Sequence, residues 1–131
     1  MISDRLKAAW DSHDPKAIAA MYTPDGARTN LVVEEERIEG RDAIVAFAAE
    51  VLDAFPDCTV DIRRESGSGS VLTVEWIFRG TQVKDFRTIP GQGQTIALSG
   101  VAIYEMDGDL VREDHTYWDN ATLLAAAGLL G

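Results

Sequence analysis

The chain has 131 residues, 46% of them hydrophobic, which fits one ordinary domain with its own core. Its 22 acidic and 12 basic residues give a formal net charge of −10, and this charge repels nucleic-acid phosphates and anionic membrane surfaces. The N-terminus is polar, and no apolar run approaches the roughly 18 residues of a membrane helix, so we expect a cytoplasmic protein. A lone Cys58 permits no internal disulfide.

The N-terminal segment predicts a helix pair or one bent helix. Asp14 is suited to cap a helix that begins at Pro15, where the missing N–H costs nothing. Trp10 and Tyr22 lie on the apolar side of these helices. The stretch 23–28, TPDGAR, combines Pro, Asp and Gly and predicts a turn.

The middle of the chain predicts one strand and one helix. Residues 29–33, TNLVV, favour a short strand, and the polar stretch 34–41 after it is expected to be solvated. The strongest core prediction is a helical face at spacings of three and four. Its members are Ile44, Phe47, Ala48, Val51, Leu52 and Phe55.

The rest of the chain contains four β-rich runs and a short final helix. Loops rich in Gly separate the runs, and Asp107-Gly108 is a strong hairpin signal. Gly80 and Gly100 are the expected bulge or kink points. Helices followed by such runs predict an α+β fold, in which N-terminal helices cover a strongly curved mixed or antiparallel sheet around an internal cavity.

Residues 74–81, VEWIFRGT, predict a wall of that cavity. Period two places Trp76 and Phe78 on one face of the strand, while Trp10 and Tyr22 reach the same cavity from the helices. These four side chains are the predicted substrate-binding residues. Plain core packing explains the same pattern equally well.

Residues 112–120, REDHTYWDN, carry the predicted catalytic groups. Period two places His115, Tyr117 and Asp119 on one face of the last strand. A carboxylate enclosed among rings exchanges protons more readily near neutrality, so Asp119 is the predicted acid/base, with His115 and Tyr117 as donors or a second acid/base. Asp119 also precedes a helical run, where it is suited to act only as a cap. His115 fits a sheet edge or interface equally well, and Tyr117 fits simple packing.

Several motifs in order resemble the nuclear-transport-factor-2-like superfamily and, within it, the SnoaL-like polyketide cyclases. They are WxxHD, MYTPD, EGRDAIVAF, AFPDCTVDI, VEWIFRGT, VAIYEMDGDLV and YWDNATLLAAAGL, which together span nearly the whole chain. The resemblance implies a conical barrel with an apolar cavity, dimerisation through the sheet, and cofactor-free acid/base chemistry or binding. It assigns the cyclase acid/base to Asp119.

Two related branches fit less well. Ketosteroid isomerases carry their base in the strand that here reads TNLVV, which has no acid. Epoxide hydrolases need an Asp-Arg-Asp set, which the sequence does not identify.

Together these observations predict a single-domain, cofactor-independent enzyme over residues 1–131. It would cyclise by aldol closure, or isomerise, a small apolar molecule that bears a carbonyl. The alternative is a non-catalytic module of the same fold that binds a small hydrophobic ligand or only dimerises. We expect no cofactor, no metal, no nucleic acid and no membrane partner. We expect a homodimer through the sheet, because its outer face would expose Ile77, Ile103 and Trp118.

Overall fold

The structure, a computed structural model, describes residues 1–130. The chain forms four helices and six strands. In order they are α1 (Ile2–Asp11), α2 (Pro15–Ala19), β1 (Tyr22–Leu31), β2 (Glu35–Glu39), α3 (Arg41–Ala54), β3 (Thr59–Ser68), β4 (Val71–Gln82), β5 (Gln94–Asp107), β6 (Leu110–Trp118) and α4 (Asn120–Ala126). None of the helices in this range is long and apolar enough to cross a membrane.

The strands form one curved sheet in the order β2-β1-β6-β5-β4-β3. Strands β1 and β6 run parallel, and every other neighbouring pair runs antiparallel, so the sheet is mixed. Helix α1 packs on β3, α3 on β1 and α4 on β5. The predicted α+β class, with helices over a curved mixed sheet, is confirmed.

The core lies between the helices and the concave face of the sheet. All six predicted core residues of the α3 region are buried, and each large one contributes about 1.5 to 3 kcal/mol of burial free energy before entropy is subtracted. Phe78 makes edge-to-face contacts with Phe55 and Trp10, at ring-centroid distances of 5.3 and 6.2 Å. The predicted cap is also present, because Asp14 Oδ1 accepts a hydrogen bond from Lys16 N at 3.0 Å.

One prediction in the first half of the chain was wrong, and one was incomplete, because the stretch 34–41 is largely exposed as expected but also forms a strand. The TPDGAR stretch is not a turn, because it lies within β1. A register shift between Tyr22 and Ala27 accommodates it, and a bulge tolerates a proline that cannot donate to the sheet. The polar stretch expected to be solvated forms the edge strand β2, whose pairing with β1 extends the sheet.

The bulges also differ from those predicted. Strand β4 pairs continuously with β5 through Gly80 and Gly100. Gly100 instead makes room for the indole of Trp76, since a Cβ there would lie 2.2 Å from Trp76 Cζ2. One bulge falls in β6, where Met106 pairs with Val111 and Glu105 pairs with Glu113. Arg112, which lies between Val111 and Glu113, therefore has no pairing partner on β5.

Candidate active site

A cavity of about 70 Å³ lies between the concave face of the sheet and the helices. Its wall is mostly apolar, and about half of its residues are aromatic. Trp10, Trp76 and Phe78, three of the four predicted binding residues, line it, and Phe47, Phe55, Phe86 and Trp118 complete much of the wall. We call this space the inner chamber. Tyr22, the fourth predicted residue, does not line it.

The polar end of the inner chamber is built where three neighbouring strands meet. Strand pairing places Asp114 of β6 directly between Arg28 of β1 and Tyr104 of β5. Thr116 follows two residues later on the same face. Arg28, Tyr104 and Thr116 line the chamber. The chain thus presents a cation and two hydroxyl groups at one end of an otherwise apolar space.

Asp114 lies behind this polar end and organises it. Its side chain is fully buried. Oδ2 accepts a hydrogen bond from the Tyr22 hydroxyl at 2.6 Å, and Oδ1 accepts one from the Thr116 hydroxyl at 2.6 Å. Arg28 Nη1 lies 3.6 Å from Oδ2, which makes a buried ion pair. Such a pair is retained only where further hydrogen bonds satisfy the charges, and here they do.

The charge states of the cluster follow from burial and from Asp114. Burial on its own lowers the pKa of Arg28, but the charge of Asp114 and the neighbouring tyrosines outweigh it and raise that pKa. Burial, reinforced by the charge of Asp114, raises the pKa of Tyr22 and of Tyr104 well above their usual value. Arg28 is therefore a permanent cation, and both tyrosines are neutral hydrogen-bond donors.

The Tyr104 hydroxyl is free to bind a ligand. No hydrogen bond to it forms within residues 1–130, yet no fully enclosed polar side-chain atom in that range lacks a partner. The hydroxyl must therefore border the inner chamber, whose wall includes Tyr104.

A second set of polar contacts, which does not include Asp114, also fixes the side chain of Arg28. Arg28 Nε donates to Asn30 Oδ1 at 2.8 Å, and Asn30 Nδ2 donates to Glu36 Oε1 at 3.0 Å. Glu36 in turn pairs with Arg87 of the β4–β5 loop. The guanidinium of Arg28 also lies over the ring of Phe47, 4.7 Å from its centroid. Arg28 is thus held in one orientation beside the chamber.

The three predicted catalytic residues lie elsewhere. His115, Tyr117 and Asp119 are exposed and sit on the outer face of the sheet or at its end. Asp119 precedes α4 and accepts a hydrogen bond from the Thr122 hydroxyl at 2.9 Å, but its side chain caps no backbone N–H. The expectation that this face of β6 points into the cavity is wrong.

The bulge in β6 explains both the error and the missed residues. With residue 112 left over, Val111 and Asp114 are both buried although they are three positions apart. Inward positions are then Asp114, Thr116 and Trp118, the last of which borders the chamber instead of lying on the outer face. The sequence held a sign of these residues, because the opposite face of the REDHTYWDN stretch carries an acid, Asp114, and a hydroxyl, Thr116, beside the ring of Trp118.

Comparison with known proteins places the chain in a family. The model of the SnoaL-like polyketide cyclases matches residues 1–127. A search of curated proteins finds no match.

Solved structures resemble the whole chain. A protein with a ketosteroid isomerase-like fold from Catenulispora acidiphila, in complex with trimethylamine, has 21% identity and a TM-score of 0.82, covering 98% of this chain and 93% of its own. IdmH from Streptomyces antibioticus, a candidate polyketide cyclase, has 19% identity and a TM-score of 0.78, covering 96% and 95%. An LEH-like epoxide hydrolase from M. tuberculosis has 14% identity and a TM-score of 0.71, covering 95% and 85%.

At these identities the solved structures establish the fold, and they include proteins with different activities. The family model carries the assignment, because it covers nearly all of the 131 residues. The chain belongs to the SnoaL-like polyketide cyclase family.

Proposed function

We propose that the protein is a cofactor-independent enzyme that moves a proton next to the carbonyl of a small, neutral, apolar molecule held in the inner chamber. One observation carries this proposal. The aromatic chamber ends in a cation, Arg28, a free hydroxyl, Tyr104, and a second hydroxyl, Thr116, that is hydrogen-bonded to the buried carboxylate of Asp114. Aldol cyclisation or isomerisation of a carbonyl compound uses hydrogen-bond donors for the carbonyl oxygen and a group that accepts a proton, and these residues can supply both.

Arg28 and Tyr104 are suited to bind the carbonyl oxygen. Both border the chamber, and both are hydrogen-bond donors in a region with little water. Negative charge develops on a carbonyl oxygen when a neighbouring carbon loses its proton, and donors fixed in advance stabilise that charge. The stacking of Arg28 on Phe47 and its bond to Asn30 supply this fixed orientation.

Thr116 and Asp114 are suited to take the proton. The proton on the carbon next to the carbonyl passes to Thr116 Oγ1, whose own proton passes along the 2.6 Å hydrogen bond to Asp114 Oδ1. The electron pair of the broken C–H bond forms the enolate. That enolate then attacks a second carbonyl of the same molecule, or it is reprotonated at another carbon.

The charge of the cluster favours a neutral substrate. Arg28 and Asp114 neutralise one another within a buried ion pair, so the polar end carries no net charge to offset that of a ligand. An ionised ligand would have to leave water without a counter-charge, which is costly. We therefore expect ketones to bind and the carboxylates of similar shape to be rejected.

A binding module is the second candidate, and one observation favours it. Among residues 1–130, no carboxylate lines the inner chamber, because Asp114 lies behind Thr116. If the hydroxyl does not relay protons, the same chamber would hold a carbonyl compound without changing it. Binding without proton exchange is the sign of this alternative.

Deuterium exchange separates the two candidates without knowledge of the natural substrate. The protein is incubated with pentanone in D₂O, and loss of the hydrogens next to the carbonyl is followed by NMR. We expect catalysed exchange that falls by about 10²- to 10⁴-fold in Asp114→Asn and in Thr116→Val, the range over which acid/base catalysis acts. Asp119→Asn is the matched control and should exchange at the wild-type rate. Binding of pentanone with no catalysed exchange would reject the enzyme and leave the module.

We also propose a homodimer through the outer face of the sheet. Ile103 and Tyr117 lie on neighbouring strands, β5 and β6, and are 37% and 42% exposed. Exposed apolar side chains on adjacent strands favour a protein partner. Light scattering at micromolar concentration should give twice the chain mass, and Ile103→Lys should reduce it. A monomer for the wild type would contradict the dimer.

A further inference from the structure

The inner chamber is small for the molecules its family name suggests. A volume of about 70 Å³ holds roughly five to seven water-sized groups. Pockets that enclose drug-sized ligands measure about 300 to 1,000 Å³. A ligand longer than a few carbon atoms must therefore extend beyond the chamber.

A second and larger space lies next to the chamber. It measures about 540 Å³, is open to solvent, and is bordered by Asn30, Val33, Glu36 and Thr88. We call it the vestibule. Phe86 and Trp118 border both spaces, so these two rings form the partition between them.

Phe86 forms the loop side of this partition. It lies on the β4–β5 loop, residues 83–93, and its ring is buried against Phe55 at a centroid distance of 6.4 Å. Arg87 holds the loop through ion pairs with Glu36 and Glu50, and its guanidinium lies 5.5 Å from the Phe86 ring.

Those contacts are weak enough to open. The side chains of Arg87 and its two partners are each more than one third exposed, and exposed ion pairs add little to stability. Arg87 also has a φ of +57°, a conformation that residues other than glycine rarely adopt. The backbone of the loop is held by hydrogen bonds between Phe86 and Ile89, at 2.9 Å in each direction, and from Gln82 Nε2 to Ile89 O at 2.8 Å. A ligand that passes the partition therefore has to displace the ring of Phe86, while the loop backbone stays in place.

We infer that Phe86 determines which ligands this protein selects by length. The carbonyl end lies in the inner chamber, and an apolar tail extends past Phe86 into the vestibule. The position of the carbonyl end rests on the proposed function, while the partition rests on the two spaces alone. Short ligands fit behind the ring, and longer ones must displace it.

Two homologous series of probes test this inference. The first contains methyl ketones from butanone to decanone, and the second contains alkylbenzenes of matching length, which lack the carbonyl. Binding is measured through the fluorescence of Trp10 and Trp76, which line the chamber. We compare the wild type with Phe86→Ala. The control is Lys84→Ala, because Lys84 is exposed on the same loop and borders neither space.

In Phe86→Ala we expect decanone to bind roughly tenfold more tightly than to the wild type, since the tail no longer displaces a ring, while butanone changes less than about twofold. Lys84→Ala should change neither. An equal effect on short and long probes, or none on either, would overturn the inference. If circular dichroism shows that Phe86→Ala is unfolded, the same binding measurements are made with Phe86→Leu. The same selective gain for decanone over butanone is then required.

The two series keep this inference apart from the proposed function. If ketones bind no better than alkylbenzenes, the proposed carbonyl site fails, and the length dependence of the alkylbenzenes still decides the role of Phe86. If ketones bind better but Phe86→Ala shows no dependence on length, only the inference about Phe86 fails. If neither series binds the wild type, both are rejected.

Discussion

The two faces of strand β6 carry similar residues in opposite surroundings. The inner face presents Asp114 and Thr116, both almost completely buried, while the outer face presents His115 and Tyr117, both exposed. The inner pair is joined by a hydrogen bond from Thr116 to Asp114, and Asp114 also accepts one from Tyr22 of the neighbouring strand β1. A polar side chain becomes a candidate for catalysis when it is buried beside a cavity and held by neighbours. Its residue type alone does not make it one.

The difference is also energetic. A buried charge that loses its partner strongly destabilises the folded protein, whereas an exposed charge is hydrated by water. Substitutions at matched positions on the two faces should therefore differ in the size of their effect on stability.

Removing the inner carboxylate should cause the largest loss of stability. Asp114→Ala leaves Arg28 buried without its counter-charge, and we expect the free energy of unfolding to fall by about 3 to 5 kcal/mol. Asp119→Asn should change it by less than about 0.5 kcal/mol, as surface substitutions do. Urea denaturation measures both. Equal effects at the two aspartates would contradict the contrast between the faces.

Removing an inner hydroxyl should have an intermediate effect. Tyr22→Phe deletes the hydrogen bond to Asp114 Oδ2, and we expect a loss of about 1 to 3 kcal/mol, the range for a hydrogen bond to a buried charged group. Tyr117→Phe makes the same chemical change on the exposed face and should be nearly neutral. The pair is compared by denaturation under identical conditions. A larger loss in Tyr117→Phe than in Tyr22→Phe would contradict the contrast between the two faces.

Alkaline titration should reveal the enclosed tyrosines. The chain has three tyrosines, so Tyr117→Phe retains only Tyr22 and Tyr104, whose pKa values burial raises well above 10. Since these groups ionise more easily when unfolded, stability should be intact below about pH 10 and decrease as the pH rises above it. In Tyr117→Phe the absorbance of ionised tyrosine should therefore appear together with unfolding, followed by circular dichroism. Ionisation of either residue in the folded protein near pH 10 would contradict their burial.

The smallest effect is expected on the outer face at Glu113. Hydrogen bonds from Arg37 lower the pKa of Glu113 below its usual value of about 4.5. The pair therefore stabilises the fold above that pH and loses its contribution as the pH falls through the lowered value. Glu113→Gln should slightly flatten the acid side of the stability profile and leave proton exchange of pentanone unchanged. A large effect at neutral pH would show that the outer pair is more important than its exposure implies.

Sequence periodicity predicted the elements that depend on local pattern. The apolar face of α3, the Asp107-Gly108 hairpin and the wall residues Trp76 and Phe78 follow from helical or alternating spacing and from turn chemistry. These signals lie within a few residues of one another. The general α+β architecture followed from their order along the chain.

The polar end of the site was not predicted, because it depends on pairing between distant strands. Arg28, Tyr104 and Asp114 become neighbours only through the parallel pairing of β1 with β6 and the antiparallel pairing of β5 with β6. No local motif marks the bulge at Arg112, which reverses the facing of the rest of β6. A shift of one residue therefore places every predicted catalytic group on the outer face or at the end of the sheet.

Contacts between a bound ketone and the two faces of β6 test the central claim most directly. Intermolecular nuclear Overhauser effects are recorded between pentanone and the protein side chains. We predict contacts from the ketone to the methyl group of Thr116 and to the rings of Trp76 and Tyr104, with none to His115 or Tyr117. Contacts confined to His115 and Tyr117 would contradict the account and return the site to the outer face.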